Sequence, residues 1–165
     1  MSEIKNISIS YREFQDHNEL NAEDQELIKA SEEAARSAYA PYSQFRVGAA
    51  IRLESGRIVH GANVENAAFP SGICAERTAL ATAITNYPDD RPVTLAISAI
   101  SGEVIVAEPV TPCGNCRQVI AEEESRWSRQ IRMLLAGRNK IIEIEGIDQL
   151  LPLQFNRRSL RSDRL

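Results

Sequence analysis

The stretch "VGAAIRLESGRIVHGANV", residues 47–64, contains two short apolar runs with a serine and a glycine between them. Residues 47–53 and 57–63 have the length and the valine and isoleucine content of β-strands. Ser55 and Gly56 form the kind of turn that joins two strands of a hairpin. The stretch therefore predicts two adjacent antiparallel strands, which would form part of a β-sheet.

A helix is predicted before this hairpin. Asn21 can cap its amino end, and the acidic Glu23 and Asp24 suit its first turn, where the helix dipole is positive. Pro41 is expected to end it. Its apolar residues recur at helical spacing, so one face should pack against the rest of the protein. These residues are Leu27, Ala30, Ala34, Ala35 and Ala38.

Helices and strands alternate after the hairpin. The sequence predicts helices over residues 75–86 and 116–125, strands over residues 92–100, 131–137 and 140–146, and a short helical piece near residues 147–150. Two hairpin strands followed by helix, strand, helix and strand imply a mixed sheet with helices on both faces. The predicted fold class is therefore α/β, a three-layer α/β/α sandwich with a mixed five-stranded sheet.

The chain of 165 residues is long enough for one domain with a full core. Residues 1–20 lack clear periodicity and are predicted to form an N-terminal extension. Residues 21–155 are predicted to form the folded domain. Residues 156–165, "NRRSLRSDRL", contain four arginines and are predicted to form a basic C-terminal tail.

The composition excludes several classes of partner. A net charge of −4, 5% aromatic residues and no basic stripe give no reason to expect binding of nucleic acid. No apolar run approaches the roughly 20 residues that span a bilayer, and "MSEIKNISIS" lacks the features of a signal peptide. The odd number of cysteines, three, disfavours a secreted disulfide framework. We therefore expect a cytoplasmic protein without a membrane partner, whose thiols are free.

All three cysteines lie at predicted helix starts, Cys74 in "SGICAERTAL" (71–80) and Cys113 and Cys116 in "TPCGNCRQVI" (111–120). A Pro-Cys-x-x-Cys segment entering a helix holds two sulfurs close enough to share a zinc ion, and Cys74 could supply a third ligand. The free N–H groups at a helix start favour thiolate over thiol. Three ligands leave the fourth zinc position open, which is typical of catalytic sites.

Two histidines and one glutamate are the further candidates for this site. His17 and His60 could close the zinc coordination, although each is better explained as an ordinary surface or core-edge histidine. Glu76 follows Cys74 by two residues, and alone it is best explained as a compensation of the helix dipole. Beside an open zinc position it becomes a candidate to shuttle protons for a zinc-bound water.

The motifs "CAERTA", "PCGNCRQV", "NVENA", "APYSQFRVGAA" and "QLLPLQF" together closely resemble the small cytidine deaminases of pyrimidine salvage. The resemblance runs from about Asp24 to Phe155, so residues 21–155 are expected to be a catalytic domain of this kind. It implies zinc-dependent hydrolytic deamination of cytidine and 2′-deoxycytidine to uridine and 2′-deoxyuridine, with release of ammonia. It also implies one zinc ion per chain.

The resemblance implies a role for each matching residue of the reaction centre. Cys74, Cys113 and Cys116 would bind zinc, and Glu76 would move a proton from the water to N3 of the base and then to the departing amine. Three thiolates on Zn²⁺ carry a net charge of −1, which weakens its effect on water. Arg77 would hydrogen-bond the sulfurs and withdraw part of this charge, although alone it also fits a surface helix arginine.

Substrate contacts follow from the same resemblance. Asn63 and Glu65 would read the sugar 3′-hydroxyl, although from the residues alone they fit a turn asparagine and a surface glutamate better. Phe45 would pack on the pyrimidine, and the backbone N–H of Ala75 would donate to the base carbonyl. Arg46 departs from the family pattern, since many relatives have proline there.

The resemblance further implies a homotetramer with active sites shared between subunits. Phe155 would lie over the pyrimidine in a neighbouring subunit, and Phe69 would line a neighbouring site. A lone aromatic residue at position 155 is otherwise explained as part of the core.

Two alternative functions stay open. The three cysteines, with His60 as a possible fourth ligand, could form a structural zinc module. A deaminase of the same fold could instead act on another aminated heterocycle, such as an aminonucleoside antibiotic. The "NVEN" segment favours a nucleoside, because it supplies an acceptor and a donor for a sugar hydroxyl.

Overall fold

A mixed β-sheet with helices on both faces forms the centre of the molecule. The structure is a computed structural model that describes residues 2–160. Its strands are β1 (Arg12–Phe14), β2 (Phe45–Leu53), β3 (Ile58–Ala62), β4 (Pro92–Ser101), β5 (Val104–Ile105), β6 (Arg132–Ala136) and β7 (Ile141–Glu145). Its α-helices are α1 (Ala22–Arg36), α2 (Ala75–Asn86), α3 (Gly114–Trp127) and α4 (Arg157–Leu160). Three short 3₁₀ turns cover His17–Glu19, Phe69–Ser71 and Ile147–Gln149.

The strand order is β1-β7-β6-β4-β2-β3, and β5 pairs with the end of β4. Among the described strands only β4 and β6 run parallel. Helix α1 packs on one face of the sheet through Leu27 and Ile28, whereas α2 and α3 pack on the other through residues such as Leu80 and Ile120. The predicted three-layer α/β/α fold class is confirmed.

The structure adds two strands to the five that the sequence predicts. Strand β5 has only two residues, too few for a periodic pattern. Strand β1 lies within the predicted N-terminal extension and pairs antiparallel with β7. The last residues of the predicted basic tail, 161–165, lie outside the described residues, so the domain boundaries stay predictions.

A group of four charged side chains joins β1 to the sheet. Arg12 donates to the buried carboxylate of Glu143 at 2.6 Å. Arg132 donates to the other oxygen of Glu143 at 2.9 Å and forms a two-armed ion pair with the buried Asp24. The group links β1 and the first turn of α1 to β6 and β7, which lie more than 100 residues later in the sequence.

Helix α1 begins as predicted but ends early. The side chain of Asn21 accepts a hydrogen bond from the Asp24 N–H at 2.8 Å and caps the helix. The helix ends at Arg36 rather than near Pro41. Beyond it, Tyr39 makes an isolated bridge with Val64, and its N–H donates to the Asn63 carbonyl at 3.1 Å. This bridge brings the segment before β2 against residues 63–65.

None of the described helices has both the length and the apolar character that crossing a bilayer requires.

Helix α2 approaches β3 closely at Gly61. A Cβ atom at this position would overlap the backbone nitrogen of Ala79 and would lie 2.5 Å from the carbonyl oxygen of Ala75. Only a residue without a side chain therefore lets the start of α2 lie at this distance from the sheet. Gly48 gives α1 the same close approach on the opposite face.

Gly61→Ala should therefore lower the free energy of unfolding by about 1–3 kcal/mol, the usual cost of forcing extra carbon into a packed core. Urea unfolding followed by circular dichroism measures this. Gly114→Ala is the matched control, because a Cβ atom there meets nothing within 4 Å. Equal stability of the Gly61→Ala variant and the wild type would contradict the close packing.

Candidate active site

Three sulfur atoms meet where helices α2 and α3 begin. Cys74 is the N-cap residue of α2, Cys113 is the N-cap residue of α3, and Cys116 lies in the first turn of α3. The sulfur of Cys113 lies 3.8 Å from that of Cys74 and 3.5 Å from that of Cys116, and all three lie within 4.8 Å of one another. The Cys74 side chain accepts no hydrogen bond from the backbone of α2, whereas the Cys113 sulfur is stabilised by backbone N–H groups at the start of α3.

The donor set fits a zinc ion. Burial raises the pKa of the thiols of Cys74 and Cys116, and the nearby Glu76 carboxylate raises it further. Burial acts in the same direction on Cys113, but a hydrogen bond from the Cys116 backbone and the contact with the Cys116 sulfur outweigh it and lower the pKa of Cys113. Three crowded thiolates therefore need a cation, and zinc favours sulfur ligands in a tetrahedral set. The three cysteines predicted as ligands thus lie together in a group that could hold one metal ion.

Neither histidine joins the cluster. His60 is exposed on β3, and Nε2 of His17 lies 3.3 Å from the Gly137 carbonyl oxygen. Over residues 2–160, the only group of at least three histidine, cysteine or acidic side chains with converging ligand atoms is formed by the three cysteines. The described residues thus leave a fourth coordination position open.

Arg77 places positive charge beside the sulfurs. Its Nη2 donates to the Cys74 sulfur at 3.9 Å and to the Gly72 carbonyl oxygen at 3.3 Å. This contact with the Cys74 sulfur raises the pKa of the guanidinium group. Its Nε is the one buried side-chain nitrogen or oxygen in the described part of the chain that lacks a hydrogen-bond partner. A buried N–H group such as this one is costly without an acceptor, and a thiolate sulfur of the cluster would provide one.

Glu76 is a buried carboxyl group next to the cluster. It lies in the first turn of α2 and is only 5% exposed. Burial raises its pKa, and this effect outweighs the opposing hydrogen bonds and the charge of Arg77. A carboxyl group with a raised pKa gains and loses protons more readily near neutral pH, which is the property a proton carrier needs.

A cavity of about 750 Å³ opens beside the sulfurs and Glu76. This volume lies in the range of small-molecule sites. Most of the predicted site residues line it, namely Phe45, Asn63, Glu65, Phe69, Cys74, Ala75, Glu76, Arg77 and Cys113. Ala75 is the first residue of α2, so its N–H has no acceptor within the helix.

Phe155 does not line this cavity. Its side chain is 59% exposed, and its carbonyl oxygen accepts a hydrogen bond from Gln118 Nε2 at 2.8 Å. Arg46 also lies outside the cavity lining, and its Nη2 donates to the Gly102 carbonyl at 2.5 Å. The backbone of Arg46 pairs with Ile100 in β4, so the departure from proline leaves the strand intact.

The side chains of Asn63 and Glu65 hold the segment that leads into β2. Asn63 accepts from the Val47 N–H at 2.7 Å and donates to the Phe45 carbonyl at 3.0 Å. The Glu65 carboxylate accepts from the backbone N–H groups of Tyr42 and Ser43 at 2.9 and 3.2 Å. Each of these two predicted sugar-reading residues therefore also has a structural task.

Tyr42 and Ser43 also line the cavity, although neither was predicted as a site residue. The ring of Tyr42 meets that of Phe69 edge-on, with 6.0 Å between the centroids. Tyr42 and Ser43 belong to the segment "APYSQF", which ends at Phe45. Their position next to Phe45 in this motif was the available signal.

The comparisons with known proteins agree with this geometry. The family described as "Cytidine and deoxycytidylate deaminase zinc-binding region" matches residues 21–129. A cytidine deaminase of Sporosarcina psychrophila is 37% identical over 139 residues, which cover 82% of this chain and 93% of the relative. A blasticidin-S deaminase of Bacillus cereus is 28% identical over 140 residues, which cover 84% of this chain and 96% of the relative.

Solved structures show the same likeness. The crystal structure of the cytidine deaminase from Burkholderia pseudomallei has a TM-score of 0.67 and is 36% identical in sequence. The match covers 79% of this chain and 97% of that one. The family resemblance predicted from the sequence is confirmed. The chain belongs to the zinc-binding cytidine and deoxycytidylate deaminase family.

Proposed function

We propose that this enzyme deaminates cytidine and 2′-deoxycytidine hydrolytically, giving uridine and 2′-deoxyuridine with ammonia. The observation that carries the proposal is the position of Glu76. Its buried carboxyl group lines one cavity of nucleoside size together with Cys74 and Cys113 of the three-cysteine cluster. The reaction needs a proton carrier and an activated water at the same carbon atom, and this site supports both.

The three cysteines would hold zinc, which when bound supplies a Lewis acid that lowers the pKa of water. Glu76 accepts a proton from the attacking water and delivers it to N3 of the pyrimidine, which makes C4 electrophilic. The water oxygen then forms its bond to C4. Glu76 then takes the remaining proton from the hydroxyl group on C4 and transfers it to the amino group. The C4–N bond breaks, the C4 carbonyl forms, and ammonia leaves. One carboxylate thus handles both proton transfers.

The cavity residues would orient the nucleoside. Phe45 packs on the pyrimidine ring, and the free N–H of Ala75 donates to the base carbonyl. Asn63 and Glu65 read the sugar hydroxyl. Arg77 withdraws negative charge from the sulfurs, which offsets the charge that three thiolates add. All these residues line the same cavity, which supports the assignment.

We further propose that the enzyme is a cytoplasmic homotetramer that serves pyrimidine salvage. Two exposed aromatic side chains support the shared active site. Phe69 is 76% exposed at the mouth of the cavity, and Phe155 is 59% exposed away from it. Exposed aromatic rings of this kind are typical of surfaces that meet a partner. Phe155 would contribute to the site of a neighbouring subunit, and so would Phe69, which also lines the cavity of its own chain.

A second candidate activity is deamination of an aminonucleoside antibiotic. The relative from Bacillus cereus, whose name is blasticidin-S deaminase, matches over 84% of this chain and supports this candidate. The structural zinc module lacks comparable support, because no fourth ligand joins the cysteines within residues 2–160.

Ammonia release from cytidine, 2′-deoxycytidine, cytosine, CMP and blasticidin S would separate these functions. We expect both nucleosides to be turned over, and kcat/KM for free cytosine to be at least about tenfold lower, because the sugar contacts are missing. Turnover of blasticidin S alone would favour the second candidate. Equal kcat/KM values for cytosine and cytidine would contradict the sugar-reading roles of Asn63 and Glu65.

Glu76→Gln should lower kcat by at least about 10²–10⁴-fold, the range for groups that transfer protons. The zinc content should stay near one ion per chain, because the three sulfurs are unchanged. Glu122→Gln is the matched control, since Glu122 is exposed on α3. A Glu76→Gln enzyme with a tenth of the wild-type kcat would remove Glu76 from the proposed mechanism.

Phe155→Ala should raise KM for cytidine about tenfold, since stacking on a base contributes roughly 1–3 kcal/mol. Leu153→Ala is the control, because Leu153 is 85% exposed two residues earlier. Sedimentation at the assay concentration would report the assembly state. A fully active monomer would contradict the shared active site.

A further inference from the structure

The carboxylate of Glu65 is held by the chain segment that precedes β2. Its Oε2 accepts from the backbone N–H groups of Tyr42 and Ser43, and its Oε1 accepts from the Ser43 hydroxyl at 2.5 Å. The Ser43 hydroxyl, followed by the Tyr42 N–H, lowers the pKa of Glu65. Glu65 is therefore ionised at neutral pH and can act only as an acceptor.

The Ser43 hydroxyl makes a second contact in the opposite direction. The backbone N–H of Phe45 donates to Ser43 Oγ at 3.0 Å. A serine hydroxyl has one proton to donate, and here the proton goes to Glu65 while a lone pair accepts from Phe45. Ser43 thus joins a proposed sugar-reading carboxylate to the backbone of the residue proposed to pack on the base.

The backbone around Phe45 needs such support. Gln44 has φ of 56°, in the left-handed region that residues other than glycine seldom adopt. On the other side of Phe45, its carbonyl oxygen accepts from Asn63 Nδ2 at 3.0 Å. Residues 63–65 therefore hold both peptide groups that flank the Phe45 side chain, directly through Asn63 and indirectly through Ser43.

We propose that Ser43 is a positioning residue that couples sugar recognition by Glu65 to the placement of the Phe45 ring beside the base. This inference rests on the nucleoside deaminase function proposed above. When Ser43 holds the Glu65 carboxylate and the Phe45 N–H, the sugar-binding carboxylate and the ring beside the base are aligned before the nucleoside binds. Loss of the hydroxyl removes a partner from Glu65 and from the Phe45 N–H together.

The hairpin turn at the far end of β2 provides a matched control. The Ser55 hydroxyl contacts the Asp90 carboxylate at 2.5 Å, and the Ser55 N–H donates to it at 3.0 Å. The Arg57 N–H donates back to Ser55 Oγ at 3.3 Å. Ser55 therefore makes the same three kinds of contact as Ser43, but it does not line the cavity. Ser55→Ala reports the structural effect of losing such a hydroxyl.

The test is steady-state deamination of cytidine by the full-length enzyme. Ser43→Ala should raise KM about tenfold, the effect of losing a hydrogen bond to a charged group, and should leave kcat within about twofold. Ser43→Thr keeps the hydroxyl and should restore most of the wild-type KM. Ser55→Ala should leave KM unchanged. Thermal unfolding of each variant shows whether the fold is intact.

A double-mutant cycle tests the coupling itself. If Ser43 acts through Glu65, then Ser43→Ala in a Glu65→Ala background should change KM by less than about threefold. Independent effects of the two substitutions on KM would overturn the coupling. So would an unchanged KM in Ser43→Ala, or failure of Ser43→Thr to recover it. A wild-type enzyme that deaminates no nucleoside would overturn the proposed function, and this inference with it.

Discussion

The negative charge that three neighbouring sulfur atoms would carry as metal ligands is the constraint on which the rest of the site depends. The sulfurs lie within 4.8 Å of one another, and Cys116 is buried completely. Thiolates packed so closely repel one another, and burial removes the water that would screen them. Two helix starts and the Arg77 guanidinium act against this repulsion, and a cation would do so when bound. Each of these depends on where α2 and α3 begin.

The sheet determines where α2 begins. Gly61 lets α2 lie close to β3, and Cys74 is held at the helix start as its N-cap residue. Glu76 follows within the first turn, so its carboxyl group is buried next to the sulfurs. The same packing that places Cys74, a proposed ligand, therefore also places Glu76, the proposed proton carrier, and raises the pKa of its carboxyl group. A shift of α2 along β3 would move the ligand, Glu76 and the Ala75 N–H together.

The sequence predicted the features that local patterns specify. The hairpin of β2 and β3, the Asn21 cap of α1, helix α2 and the three-cysteine cluster were all predicted correctly. Strand β1 was not predicted, because its place at the sheet edge depends on Glu143 and on a pairing partner about 130 residues away. Beyond the early end of α1, Tyr39 likewise pairs with a residue distant in the sequence, Val64. Contacts between segments distant in sequence leave no periodic signal.

The hydrogen-bond capacity of residues 63–65 bears on the kind of substrate. The Asn63 amide uses one donor and one acceptor on the backbone of β2, which leaves one N–H and one lone pair. The Glu65 carboxylate has about four acceptor positions and uses three of them on Tyr42 and Ser43. A hydroxyl group matches what is left, because it can donate to Glu65 and accept from Asn63.

A phosphate at the same sugar position does not match this pair. It would bring negative charge against the ionised Glu65 and has no proton to donate at neutral pH. The pair is therefore suited to a free sugar hydroxyl and unsuited to a phosphodiester, which agrees with the acidic character of the whole chain. Selection of free nucleosides over polynucleotides would thus follow from the one acceptor position that Tyr42 and Ser43 leave available on Glu65.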